Sequence, residues 1–214
     1  PLVQTEGMQR GWGRNKRWEY WAITGPTYLV AMTISDIDYA GVHSLFALDR
    51  RTGQQWVVDA IAPLAKGTRL PATLGSGPAG ARTSTLELSV EETADGTRLR
   101  ASSVDVEVDV VAQRPEGHEC LGVVVPWSAR RFQYTVKDLG RPVVGHVRIA
   151  GDDHETDGSF ATLDHGRGRW PYSIRWNWGA GVEVIGGRVV GIQVGGQWTD
   201  GTGSTENSVV VDGR

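Results

Sequence analysis

Val104-Asp105-Val106-Glu107-Val108-Asp109-Val110-Val111 alternates valine with acid almost perfectly. Successive side chains of a β-strand point to opposite faces. The pattern therefore predicts an antiparallel strand with its valines toward a core and its carboxylates toward water. The same two-residue period governs residues 28–38. Tyr28, Val30, Met32 and Ile34 share one face, and the parity carries Asp36 and Asp38 onto it.

Further strands are predicted at 18–23, 43–48, 54–59, 84–91, 97–102, 121–125, 131–135, 143–149, 159–163, 172–178, 182–185, 188–196 and 207–211. Turn signals separate them at hairpin spacing, among them Arg51-Thr52-Gly53, Asp95-Gly96, Gly186-Gly187 and Asp212-Gly213. No long apolar segment has the period of a helix. Residues 60–82, broken by three prolines, read as a loop or a crossover between two sheets. So many strands exceed a single small barrel of roughly eight. The expected fold is all-β, an antiparallel meander forming two linked barrels or sheets. Closure of such sheets removes exposed edges and creates an internal pocket. We place the first at residues 1–140 and the start of the second at 141–214. The chain begins Pro1-Leu2-Val3, without an initiator methionine, and stops just after a predicted strand. The second sheet is therefore expected to be incomplete at its C terminus.

Charged residues make up 22% of the 214 residues, hydrophobic residues 39%, and the net charge is −3. This is the composition of an ordinary soluble domain. It lacks the basic surplus that binding to nucleic acid requires. No apolar run approaches the length of a membrane span. The one cysteine, Cys120, leaves no internal disulfide, fits a reducing compartment and reads as a small buried hydrophobe. A cytoplasmic location is expected. The 29 glycines suggest tight turns and close backbone approach, and each of the nine tryptophans needs buried area and a partner for its N–H.

The chemistry concentrates in Asp164-His165-Gly166-Arg167-Gly168-Arg169-Trp170-Pro171-Tyr172-Ser173-Ile174-Arg175-Trp176-Asn177-Trp178. Charges beside large aromatics must be paired or they strain the fold. A polar constellation in an aromatic-walled cavity is the usual form of a small-molecule site. Asp164 follows Phe160 and Leu163, where a carboxyl group on a pocket floor can act as general acid. His165 is a candidate proton shuttle. Asp36 and Asp38, sharing a face, form a candidate carboxylate pair. The candidate catalytic residues are Asp164, His165 and Asp38.

On a strand over 172–178, Arg175 and Asn177 would share one face, with Trp176 and Trp178 on the other. Pointing inward, Arg175 and Asn177 would hold a carboxylate or another ligand oxygen. The candidate binding residues are Arg167, Trp170, Tyr172, Arg175, Trp176, Asn177, Trp178, Trp198, Asp36 and Trp21. The run Arg14–Trp21, basic and then aromatic, suits the mouth of a pocket that attracts an anionic ligand. Trp198, Asp200, Glu206 and Asn207 are placed at the same pocket. Each group also has a plain structural explanation: an Asp–Arg pair pinning a loop, indoles forming a core, a polar strand end capping a turn, or a solvated charge run. The five histidines lack metal-ligand spacing, no phosphate loop is completed, and no Gly-x-Ser-x-Gly elbow is present. No metal or cofactor is implied.

Several of these segments together resemble one bacterial family. They are Arg14–Trp21, Asp36–Gly41, Pro126-Trp127-Ser128 with Arg131–Thr135, Asp164–Tyr172, Arg175–Gly179, Trp198–Gly203 and Thr205-Glu206-Asn207. The family is domain of unknown function 2804, and the resemblance runs in order from about Gly11 to Arg214. It implies longer members and a paired, lipocalin-like (calycin-type) barrel fold. That fold is distantly similar to carotenoid hydratases and tocopherol cyclases, in which an acidic group in an aromatic cavity protonates or orients an apolar ligand. This is analogy at the level of fold.

The expected function is binding of an apolar or amphipathic small molecule, with acid-catalysed lyase or isomerase chemistry of a hydratase- or cyclase-like kind. The alternatives are a non-catalytic carrier or sensor, and a structural module without a cavity. The last predicts that Arg167 and Arg175 are paired with Asp36, Asp38 or Asp164.

Overall fold

Alternation becomes strand wherever one face can be buried. The computed structural model describes residues 11–214, and residues 1–10 of the expected first unit lie outside that range. Every regular element among the described residues is a β-strand. In chain order these are β1 (Asn15–Thr24), β2 (Tyr28–Asp36), β3 (Ala40–Asp49), β4 (Gln55–Pro63), β5 (Thr68–Arg69), β6 (Ala79–Arg82), β7 (Glu87–Thr93) and β8 (Gly96–Ser102). They continue as β9 (Val106–Gln113), β10 (Leu121–Ser128), β11 (Arg131–Ile149), β12 (Asp152–His154), β13 (Phe160–Arg169), β14 (Asn177–Ile185), β15 (Arg188–Gly196) and β16 (Ser208–Val211). No helix among them is long and apolar enough to cross a membrane.

The valine alternation delivers β9, with Val106, Val108 and Val110 buried and Glu107 exposed. The strand begins later than the pattern suggests. Val104 is 95% exposed, because the chain turns there and Ser103 N donates to Val106 O at 2.9 Å. Likewise β2 stops at Asp36. Asp38 sits beyond it at φ 73°, so the two acids do not share a strand face.

Thirteen strands form one antiparallel sheet, ordered β4-β3-β2-β1-β13-β11-β9-β8-β7-β6-β5, with β10 and β12 pairing the two ends of β11. Residues 131–135 and 143–149, expected as separate strands, are the ends of the single 19-residue β11. Its first half pairs with β10 and β13, its second with β9 and β12. The register shifts between Leu139 and Arg141, around Gly140 at φ 78°. A bulge of this kind bends a strand and increases its twist.

The sheet curls into a nearly closed barrel. Its far edge, β5 and β6, lies against β2, and His43 Nε2 is 2.9 Å from Thr68 Oγ1. Residues 60–82 are thus not a crossover between two sheets. They carry the chain from one edge of the curled sheet to the other. Inside lie Trp21, Tyr28, Met32, Leu45, Leu88, Leu99, Ile149 and Leu163, each 2% exposed or less. Burial of such a side chain contributes about 1.5–3 kcal/mol. Arg141 is also fully buried, donating to Gln113 O, Ala112 O and Thr97 Oγ1 with its guanidinium 5.3 Å from the Trp21 ring centroid.

β14, β15 and β16 form a second, smaller antiparallel sheet. Gly186 and Gly187, at φ 59° and 79°, make the two-residue hairpin turn that needs left-handed backbone at both positions. This sheet packs on β11, where a Cβ on Gly191 would lie 3.1 Å from Leu139 Cβ. The two sheets divide between Arg169 and Asn177, whereas residue 141 falls at the bulge within β11. Cys120 is exposed rather than buried, in the irregular stretch before β10.

Candidate functional site

Three adjacent strands supply the floor of a cavity of about 640 Å³. β13 lies between β1 and β11, and the register aligns their side chains in rungs. The deepest rung is Tyr20–Asp164–Lys137. The next is Trp18–Gly166–Thr135, and the outermost is Lys16–Gly168–Gln133. All nine positions have the same parity, so every side chain on the grid faces away from the barrel interior. The glycines are required by what lies over them. A Cβ on Gly166 would run into the Trp18 indole, and one on Gly168 into Phe132 O and Gln133 Oε1.

Six of the nine tryptophans wall this cavity: Trp18, Trp127, Trp170, Trp176, Trp178 and Trp198. They meet edge to face, Trp18 with Trp170 at 5.6 Å and Trp127 with Trp198 at 6.2 Å between centroids. Tyr20 meets Trp178 in the same way at 6.0 Å. Several of their N–H groups find partners at the wall. Trp170 Nε1 donates to Gln133 Oε1 at 2.5 Å, Trp127 Nε1 to Trp198 O at 3.0 Å, and Trp178 Nε1 to Gln193 Oε1 at 3.3 Å.

At the deep end one ammonium serves two carboxylates. Lys137 Nζ is 2.8 Å from Asp164 Oδ1 and 3.3 Å from Glu206 Oε2. Their side chains are 4%, 16% and 3% exposed, respectively. Thr135 Oγ1 donates to Asp164 Oδ1 at 3.2 Å, with Trp18 Nε1 at 3.4 Å, and Trp198 Nε1 donates to Glu206 Oε1 at 2.5 Å. Lys137 Nζ also stands 4.7 Å from the centroid of the Trp178 ring. Fully ionised, the three groups sum to one negative charge. Burial and the nearby Asp164 carboxylate push the Tyr20 hydroxyl upward from its ordinary value, so it stays a neutral donor.

Of the residues singled out from the sequence, the cavity brings together Asp164, Trp170, Trp176, Trp178 and Trp198. His165 and Arg167 have the opposite parity on β13 and point into the barrel, each 2% exposed. There Arg167 donates to His165 Nε2 at 2.8 Å and to Ala72 O, fastening the 60–82 segment. Trp21 is a core residue, 1% exposed. Asp38 Oδ2 accepts from the amides of Gly13 at 2.6 Å and Asn15 at 3.0 Å, and so caps the entry to β1. Asp36 is ion-paired with Arg17.

Tyr172 is 88% exposed, with the Arg14 guanidinium 3.3 Å from its ring centroid. Arg175 and Asn177 are exposed too. The expected strand over 172–178 does not form. Pro171 offers no N–H to a ladder, residues 171–176 are irregular, and β14 begins only at Asn177. Arg167 and Arg175 form no ion pair with Asp36, Asp38 or Asp164 among the described residues.

Trp18 and Tyr20, from the Arg14–Trp21 run expected at the mouth, line the cavity, and so do Lys137, Gln133, Thr135 and Trp127, which the sequence reading does not assign to it. The signal for three of them was parity. Gln133, Thr135 and Lys137 continue one polar alternation past the point where the predicted strand ended. Glu206 and the basic run bearing Lys16 and Arg17 had been placed at the pocket, and all three line it. Among the described residues no cluster of His, Cys, Asp and Glu could hold a metal ion.

The architecture has a counterpart among solved structures. Kievitone hydratase from Nectria haematococca aligns over 100% of this chain with a TM-score of 0.58 and 11% sequence identity. The chain spans 66% of the length of that protein, and a likeness at this identity concerns the fold alone. No curated protein matches the sequence. The model of one family, described as domain of unknown function (DUF2804), matches residues 1–214, and the chain belongs to that family.

Proposed function

We propose that the indole-walled cavity binds an apolar or amphipathic small molecule and acts on it by acid–base chemistry of the hydratase or isomerase class. The observation that carries this reading is the pair of carboxylates sharing one ammonium at the deep end of an aromatic cavity. Protonation of a carbon–carbon double bond needs a donor held against an apolar ligand and a surrounding that tolerates positive charge. One proton shared by the Asp164–Glu206 pair is delivered from Asp164, which leaves both carboxylates ionised beside Lys137. The excess negative charge and the faces of Trp18 and Trp178 stabilise the cation. Water then bonds to the cationic carbon and gives its surplus proton to Glu206. Transfer of a proton from a neighbouring carbon to Glu206 instead yields an isomer and restores the protonated pair. Lys137 holds both carboxylates in place throughout. The hydratase among solved structures of this fold agrees with the reaction class.

A second reading, a carrier or sensor, draws support from the 2.8 Å Lys137–Asp164 pair, since a fully paired carboxylate can orient a ligand without reacting. One experiment separates the two. The wild-type protein and Asp164→Asn are incubated with an extract of isoprenoid and aromatic compounds in isotopically labelled water, then examined by native and released-ligand mass spectrometry. A product heavier by one labelled water, or an isomer, formed only by the wild type supports the catalyst. A ligand retained unchanged by both supports the carrier. Absence of any bound molecule refutes both.

A further inference from the structure

The cavity is charged differently at its two ends. At the deep rung, two carboxylates outweigh the single Lys137 ammonium. At the outer rung stands Lys16, with its Nζ 5.4 Å from the Trp170 ring centroid. It makes no ion pair among the described residues. The other cations of the lining are already engaged, Arg17 by Asp36 and Lys137 by its two carboxylates. Lys16 is therefore the lining cation left to meet a ligand.

We infer that the ligand is an amphipathic acid, its anionic head held by Lys16 and its apolar body lying along Trp18 toward Asp164. The inference rests on the cavity being a small-molecule site, and it adds ligand class and orientation. The reverse orientation would press a carboxylate against Asp164 and Glu206 and leave Lys16 over an apolar tail. Geometry sets the length. Lys16 and Tyr20, the register partner of Asp164, are four residues apart on β1, or about 13 Å. Allowing for the reach of the lysine side chain, roughly 8–13 Å separates the head from the reacting carbon. The intervening rung is Trp18, Gly166 and Thr135, an indole lying on a glycine, which presents a flat apolar surface to that span. A farnesyl-length chain or a short fused-ring skeleton fits this distance.

The test uses a carboxylic acid with a farnesyl chain, its methyl ester and the matching alcohol, each titrated against the intrinsic tryptophan fluorescence of the protein. The acid is expected to bind roughly threefold to fivefold more tightly than the ester at low ionic strength, the size of a single partly exposed charge contact. Added salt should erode this preference. Lys16→Gln should abolish it, the acid-to-ester ratio falling to about one, and Lys16→Glu should reverse it. Equal binding of acid and ester by the wild type, or a preference that survives in Lys16→Gln, overturns the inference and leaves the cavity reading standing. Failure of all three compounds to bind overturns the cavity reading and the inference with it.

Discussion

Behind the floor of the cavity, Glu19 and His165 are direct register partners across β1 and β13, 4% and 2% exposed. Burial pushes the Glu19 carboxyl from 4.5 up to about 7; Glu92 adds to the rise, while the Trp21 N–H at 3.1 Å and Arg167 oppose it. Burial pushes His165 the other way, from 6.5 to about 3, helped by the Arg167 guanidinium beside it. Between pH 4.5 and 6.5 the folded chain keeps a proton on Glu19 that the unfolded chain releases, so this group makes stability fall as pH rises. Over the same window the unfolded chain binds a proton at His165 that the folded chain refuses, so this group makes stability rise. Each slope is at most about 1.4 kcal/mol per pH unit, and the two cancel. Removing one exposes the other. Glu19→Gln should gain about 2 kcal/mol of unfolding free energy between pH 4.5 and 6.5, and His165→Asn should lose about 2 kcal/mol, each measured relative to the wild-type profile. Urea unfolding followed by tryptophan fluorescence at half-unit pH steps measures this directly. Any packing cost of the substitution shifts the whole curve and leaves its slope alone. A Glu19→Gln profile parallel to that of the wild type would refute the account.

Three further outcomes are expected. Lys137→Met strands two buried carboxylates and should cost about 3–5 kcal/mol in urea unfolding, with part of the loss recovered when Glu206→Gln is added. Gly166→Ala drives the Trp18 indole from its place and should cost about 1–3 kcal/mol, with an altered tryptophan emission spectrum as the second readout. Arg141→Leu leaves two carbonyl groups and Thr97 without their buried donor and Asp138 without its ion-pair partner, and should destabilise by about 3–5 kcal/mol, seen as a lowered urea midpoint.

The fold was legible because its cause is local. Period-two alternation at residues 28–34 and 106–110 reports the buried face directly, and Gly186-Gly187 reports the hairpin. Joining 131–135 to 143–149 was not legible, since a bulge at Gly140 interrupts the alternation without ending the strand. The site was legible only in part, for a related reason. Proximity in sequence drew Asp164, His165 and Arg167 into one hypothesis, yet neighbours on a strand face opposite ways. Lys137 and Asp164 are 27 residues apart, and the register that sets them on one rung is a property of three strands together. Trp170, Trp176 and Trp178 reach the cavity by different means. Trp170 follows the end of β13, Trp176 belongs to the irregular segment, and Trp178 lies on β14.

Parity on β1, β11 and β13 therefore divides the labour of the molecule. The outward positions, Tyr20, Lys137 and Asp164, line the cavity. The inward ones, Glu19, Val136 and His165, meet the barrel interior. A slip of one residue in any of these strands would exchange the two sets and place an ion-paired lysine in an apolar core. Register is held against this from both sides. Inside, Arg167 ties β13 to Ala72 O; outside, Lys137 ties β11 to β13 and to Glu206 beyond β15. A buried ion pair is weak evidence for stability, because the desolvation cost opposes the attraction. Its better-attested use is to make the wrong register expensive. On that argument Lys137 has two functions that one substitution cannot separate, fixing the strands and orienting the carboxylates. Asp164→Asn, which keeps size and hydrogen-bonding capacity while removing the charge, is the cleaner probe of chemistry.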